Sequence, residues 1–143
     1  MFFLQYTQFI INKIESASNE EYFITENKTE ITVPFLLKIS KIKLSTDFRV
    51  SKEKNCIHVD ASRLCFPLLL RRWNEGDSFF PFGMNKRKKI SDFFIDNKLT
   101  IIEKEQSWLL LSGDEIVWVV GQRMDNRYRV TEETKDVFQF TIS

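Results

Sequence analysis

Apolar positions recur along this chain with two different periods. Phe2, Phe3, Tyr6, Phe9, Ile10 and Ile14 are spaced for one face of a helix, which predicts a helix over roughly 2–16. From residue 22 the spacing shortens. Tyr22, Phe23 and Ile24 open an extended run, Ile31 and Val33 alternate with polar neighbours before Pro34, and Ile39, Ile42 and Leu44 continue a strand-prone ribbon. Cys56 to Asp60 alternates as well, with Ile57 and Val59 on one face and Cys56, His58 and Asp60 on the other, the pattern of a half-buried strand. Phe66 to Leu70, around Pro67, is an unbroken apolar run that predicts a central strand delivering Arg71 and Arg72 to its end.

The second half carries the stronger signals. Gly76-Asp77 marks a turn, and Pro81, Gly83 and Asn85 an irregular loop. Residues 90–96 read as a short helix with Ile90, Phe93, Phe94 and Leu99 turned inward and Asp92 and Asp96 facing water. Trp108–Leu111 and Ile116–Val120, joined through Ser112-Gly113-Asp114-Glu115, predict an antiparallel hairpin. Thr131 to Thr134 reads as a turn, and Val137, Phe138, Phe140 and Ile142 as a last strand. The pattern is that of an α+β protein, dominated by antiparallel strands with short helices.

Composition limits the function. The chain has 143 residues, is 43% hydrophobic and contains 14 Phe, enough to bury a core without disulfides. Its two cysteines, Cys56 and Cys65, do not demand an oxidising compartment. The apolar start lacks a basic leader and is broken by Lys13 and Glu15 before membrane-spanning length, so a cytoplasmic protein is expected. With 21 Lys plus Arg against 20 Asp plus Glu, a highly basic tail-like binder is excluded, but a local patch is not. Residues 71–100 carry seven basic and four acidic side chains, whereas residues 101–143 carry five and eight.

Within the basic stretch, Lys86-Arg87-Lys88-Lys89 groups four cations that repel one another and oppose the dipole of the helix that follows. A phosphate backbone would relieve that cost. Arg71 and Arg72 form a second set with Arg123, Arg127 and Arg129, the last three sharing one face if their segment is extended. Pairing with Asp77, Asp92, Asp125, Glu132 or Glu133 is the competing use of these guanidiniums. Phe79, Phe80, Phe82, Phe93 and Phe94 read chiefly as core, and Trp73 as the more exposed aromatic. Catalytic signals are thin. His58 is the single histidine, and there is no nucleotide cradle, no His-Glu-x-x-His and no cysteine pair at metal spacing, so no metal site is expected.

LRRW at 70–73, GDSFFPFGM at 76–84, KKISDFFIDNK at 88–98 and IVWVVGQRMDNRYRVTEET at 116–134 occur in an order and spacing that resembles the C-terminal domain of tRNA(Ile)-lysidine synthetase. Ser78 stands where that family usually has Arg, Lys86 where Gly is common, and Thr100 where Pro is frequent. Residues 1–70 match only loosely. The resemblance implies a fold with a β-sandwich-like core, similar also to part of the phenylalanyl-tRNA synthetase β chain. It divides the chain into an N-terminal helix over 1–18, either packed on its own domain or continuing from an upstream one, and a tRNA-binding domain over 19–143 whose family-like core is 70–134.

The resemblance further implies an enzyme that, as a whole, uses ATP to ligate lysine to C2 of cytidine 34 in an isoleucine tRNA, giving lysidine, AMP and pyrophosphate. The Ser-Gly-Gly-x-Asp-Ser loop of its N-terminal catalytic domain is not in this sequence. The chain is therefore expected to grip tRNA(Ile) on its acceptor-stem side, with the catalytic domain as partner in cis and with no catalytic residue, cofactor or metal of its own. Lys86, Arg87, Lys88 and Lys89 would meet the backbone, with Arg71, Arg72, Arg123, Arg127 and Arg129 as further contacts. Asp77, Asp92 and Asp125 would orient cations, Gly76, Gly83 and Gly121 would hold turns, and Ser91, Phe93, Phe94 and Trp118 would be scaffold. The alternative is a docking module that uses the apolar face of residues 2–14.

Overall fold

The computed structural model describes residues 20–143, so the helix expected over 2–16 lies outside the described residues. Among the described residues, three antiparallel sheets and two short α-helices build the fold. The first sheet contains β1 (Glu21–Ile24), β5 (Leu68–Arg72), β8 (Trp108–Ser112), β9 (Glu115–Val119) and β10 (Arg123–Met124), in the order β1-β5-β8-β9-β10. The second contains β2 (Glu30–Ile31), β3 (Leu37–Lys43), β4 (Cys56–Asp60) and β11 (Asp136–Ile142), in the order β2-β3-β11-β4. A two-stranded ribbon pairs β6 (Ser78–Phe79) with β7 (Lys88–Lys89), which runs directly into helix α1 (Ile90–Asp96). Helix α2 (Ile101–Glu105) follows.

The first sheet is the middle layer, which explains its unbroken apolar runs. One face packs on the second sheet around Leu68, Leu70, Leu110, Trp118, Phe138 and Phe140. The other is covered by α1 and the ribbon through Phe79, Ile90, Phe93 and Phe94 against Leu109, Leu111, Ile116 and Val119. A strand buried on both faces has no polar side to alternate. Each such side chain contributes roughly 1.5–3 kcal/mol by leaving water. The fold is thus α+β, a β-sandwich with a helical cover on one side.

A bulge shapes the edge of this sheet. Leu110 pairs with Trp118 and Leu111 with Ile116, leaving Val117 as the extra residue. Val117 and Trp118 consequently both join the inter-sheet core. The Val117 carbonyl accepts from the Asp125 backbone N–H at 2.7 Å.

Two expectations need correction. β4 is not half-buried, since Ile57, His58, Val59 and Asp60 are all buried. The polar face is covered because Phe48 meets the His58 ring edge-on at 4.9 Å and the Ser51 N–H donates to His58 Nδ1 at 3.0 Å. That makes Nδ1 the acceptor, so Nε2–H donates to Gln139 Oε1 at 2.9 Å. Helix α2 was also not expected. Thr100 accepts from the Glu103 N–H at 3.1 Å and Glu103 accepts from the Thr100 N–H at 3.0 Å, a reciprocal cap that starts the helix.

Candidate nucleic-acid interface

The ribbon and its loop are anchored at both ends by carboxylates, a half-buried one at Asp77 and a buried one at Asp125. At the near end, Arg71 grips Asp77 with Nη1 at 2.9 Å and Nη2 at 3.0 Å. Asp77 also accepts from the Asn74 N–H at 2.7 Å, and its carbonyl accepts from the first N–H of α1, that of Ile90, at 2.9 Å. This fixes the turn that lets Gly76 adopt φ +92°. α1 has no side-chain cap on its N-cap residue, Lys89, so Asp77 and Asp92 supply what favourable polarity its start has.

At the far end, Asp125 is completely buried and its carboxylate ties the loop to Arg127. Oδ2 accepts from the Phe80 N–H at 2.9 Å, and Oδ1 from the Arg127 N–H at 2.8 Å and Nε at 3.0 Å. Around this pair, Phe82 N–H donates to Met124 O at 2.9 Å, Asn126 N–H to Phe80 O at 2.7 Å, and Gly83 N–H to Asn126 Oδ1 at 3.0 Å. The 79–84 loop is therefore laid against 124–127 by main-chain bonds, which brings the basic run beside the later arginines.

The arginines do not share one face through extended alternation. Asn126–Tyr128 form a 3-10 turn, because the Asp125 side chain captures the N–H two residues on and bends the chain. What converges instead is organised by Phe80. The guanidiniums of Arg87 and Arg127 each lie 4.7 Å from its ring centroid. Arg127 is held by Asp125 and by Glu115 at 2.7 Å, and its hydrogen bond to Asp125 keeps its pKa above the ordinary arginine value despite partial burial. Arg87 donates to Ser78 Oγ at 2.9 Å. Arg123 lies 5.8 Å from the Phe93 ring, and Arg129 is exposed with Nη1 on Asn126 O at 2.8 Å.

Pleating separates Arg71 from Arg72. Arg71 sits on the ribbon side, whereas Arg72 turns to the opposite face, with its guanidinium 4.7 Å from the Trp108 ring and a bond to the Glu105 carbonyl. Within the basic run, Lys88 pairs with Asp96. Among the described residues, no carboxylate lies within ion-pair distance of Lys86, Arg87, Lys89, Arg123 or Arg129.

The aromatics divide in a way the sequence did not signal. Phe79, Phe93, Phe94 and Trp118 are buried, but Phe80 is only half-buried beneath its guanidiniums and Phe82 is 44% exposed. Trp73 packs edge-on against Phe94 at 5.1 Å and donates Nε1–H to Lys104 O at 2.8 Å, so it serves packing. Gly121, at φ +76°, is needed twice over, since a Cβ there would stand 3.2 Å from Ile142 Cδ1. Ser91 lies half-buried in the first turn of α1. Cys56 and Cys65 are free thiols.

Comparison with known proteins places these features in a family context. A family model described as the TilS substrate C-terminal domain matches residues 68–140. The tRNA(Ile)-lysidine synthase of Parabacteroides distasonis is 46% identical over 127 residues, covering 89% of this chain and 29% of that protein. That of Bacteroides thetaiotaomicron is 42% identical over 113 residues, covering 79% and 26%. The chain thus spans less than a third of these curated relatives. A crystal structure of a TilS C-terminal domain superposes with a TM-score of 0.70 at 17% identity, over 85% of this chain and 95% of that one, a likeness in fold.

Proposed function

Because the chain belongs to the TilS substrate C-terminal domain family, we propose that it is the tRNA-gripping part of a tRNA(Ile)-lysidine synthase and carries no catalytic residues. The whole enzyme would ligate lysine to cytidine 34 of tRNA(Ile) with ATP, the chemistry residing in an N-terminal domain acting in cis. A separate gripping module raises the effective concentration of the anticodon at a distant catalytic centre without touching it.

One observation carries this reading: Lys86, Arg87 and Lys89, on one ribbon and its loop, have no carboxylate within ion-pair distance among the described residues, and Arg129 on the abutting turn has none either. Unpaired cations on a ribbon pinned at both ends suit phosphates held at fixed spacing. Such contacts position a duplex and do not read its bases, which fits the acceptor-stem side of a tRNA. Arg71 and Arg127 belong to the scaffold in this reading, and Arg72 lies on the other face.

The test is a titration of the chain with tRNA(Ile), and with a hairpin of its acceptor stem, at several salt concentrations. Replacing Lys86, Arg87 and Lys89 with Ala should weaken both complexes and lower the salt slope by about one per lost phosphate contact. An unchanged slope would remove these residues from the interface. Domain docking is favoured by a different observation, the exposure of Ile95, Ile101 and Ile102 on α1 and α2 at 63%, 76% and 67%. Their replacement with Ser would leave RNA binding intact and weaken association with a separately supplied N-terminal domain.

A further inference from the structure

A cavity of about 490 Å³ opens beside the cation surface, where β10 and β4 at the edges of the two sheets meet segment 50–54. Its size falls in the ~300–1,000 Å³ range of small-ligand sites. The apolar part of the lining is Val50, Ile57, Phe82, Trp118 and Met124. Phe82 reaches it from the 79–84 loop, so its ring is exposed on a backbone that is pinned. Trp118 lines it from within the inter-sheet core and is wholly buried. Lys52, Lys54 and Arg123 also line the cavity, against one carboxylate, Glu53. His58 lines it too, with both ring nitrogens already engaged.

The occupant that uses both the exposed ring and the cations is flat and apolar on its faces and has an anionic tail. We propose that this cavity takes one unpaired nucleobase of the bound RNA, stacked on Phe82, with its phosphate near Lys52, Lys54 and Arg123. An uncharged aliphatic ligand would leave all three cations unused. Every base has a face that can stack, so the site would favour a single-stranded nucleotide over a paired one. This inference rests on the RNA-gripping reading.

The experiment compares a blunt RNA hairpin with the same hairpin carrying a short single-stranded tail, both titrated by fluorescence anisotropy. The wild-type chain should bind the tailed hairpin more tightly. Phe82→Ala, at an exposed position, should lower that affinity about tenfold and leave the blunt hairpin unaffected. Lys54→Ala, also at an exposed position, should lower tailed binding in the same selective way. Equal wild-type binding of the two hairpins, or equal weakening of both by Phe82→Ala, would overturn the inference and leave the RNA-gripping reading standing. Failure of the wild-type chain to bind either hairpin would overturn both.

Discussion

Phe80 and Asp125 are joined across 45 residues by a bond of 2.9 Å from the Phe80 N–H to a carboxylate with no solvent exposure. The same carboxylate accepts from the backbone and guanidinium of Arg127. Asp125→Ala would strand two buried N–H donors and free Arg127, and is expected to cost about 3 kcal/mol in urea unfolding. Asp125→Asn keeps one acceptor and should cost less. The loop these bonds hold carries Phe80 and Phe82, so RNA affinity should fall in both variants even where the chain is fully folded. A near-neutral Asp125→Ala would mean that the loop holds its shape by other contacts.

Arg71 and Arg87 are both basic, and they should fail differently. Arg71 is about one-sixth exposed and spends its fork on Asp77. Arg71→Ala leaves that carboxylate half-buried and unpaired, with an expected cost of about 2 kcal/mol and no change in the salt slope of RNA binding. Arg87 is exposed, with only a serine hydroxyl and the Phe80 face as partners. Arg87→Ala should leave the melting temperature nearly unchanged and reduce the salt slope by about one. Paired melts and titrations separate the two, and a lowered slope for Arg71→Ala would reverse the assignment.

The difference between these arginines marks how far the sequence could be read. Local signals were legible. The α1 bounds, Ile90–Asp96, follow from the apolar spacing after a turn, and the β8–β9 hairpin from two apolar runs around Gly113-Asp114. Signals that depend on distant partners were not. His58 gave no sign that Phe48, Ser51 and Gln139 would bury it. Arg123, Arg127 and Arg129 share a parity, but parity fixes a face only in a strand, and the Asp125 side chain bends the backbone there. Helix α2 had a readable cue in Thr100-x-x-Glu103, but only five residues stand behind it.

That cue supplies a prediction with a pH sign. The Thr100 backbone and side-chain hydrogen bonds hold the Glu103 carboxyl below its ordinary pKa of 4.5. A depressed carboxylate contributes stability above its unfolded pKa and loses it as pH falls through the folded value. Thr100→Ala should therefore destabilise the chain at neutral pH, by about 1 kcal/mol for a lost N-cap. The backbone N–H of residue 100 keeps its bond to the carboxylate in this variant, so only the part of the gap that comes through the Thr100 side chain should be lost as pH drops below 4.5. Thermal melts across the acid range check this, and a gap constant with pH would show that the backbone N–H alone holds the Glu103 carboxylate.

Tyr128 gives the opposite sign at the alkaline end. Its ring lies in the inter-sheet core, and its hydroxyl donates to Glu115 Oε1 at 2.6 Å. Burial, and then that hydrogen bond, push its pKa well above the ordinary value of 10.0. A raised acid of this kind contributes stability below its unfolded pKa, because the folded state keeps a proton that the unfolded chain gives up only above pH 10. Tyr128→Phe removes the hydroxyl while leaving Glu115 its Arg127 partner and its half-exposed position, so the loss at neutral pH should be about 1 kcal/mol. Above pH 10 the wild type alone meets an unfolded phenolate, and its advantage over Tyr128→Phe should shrink with each further rise in pH. Urea unfolding of both chains at neutral pH and above pH 10 tests the sign, and an advantage that grew with pH would show that the Tyr128 phenolate is accommodated in the fold.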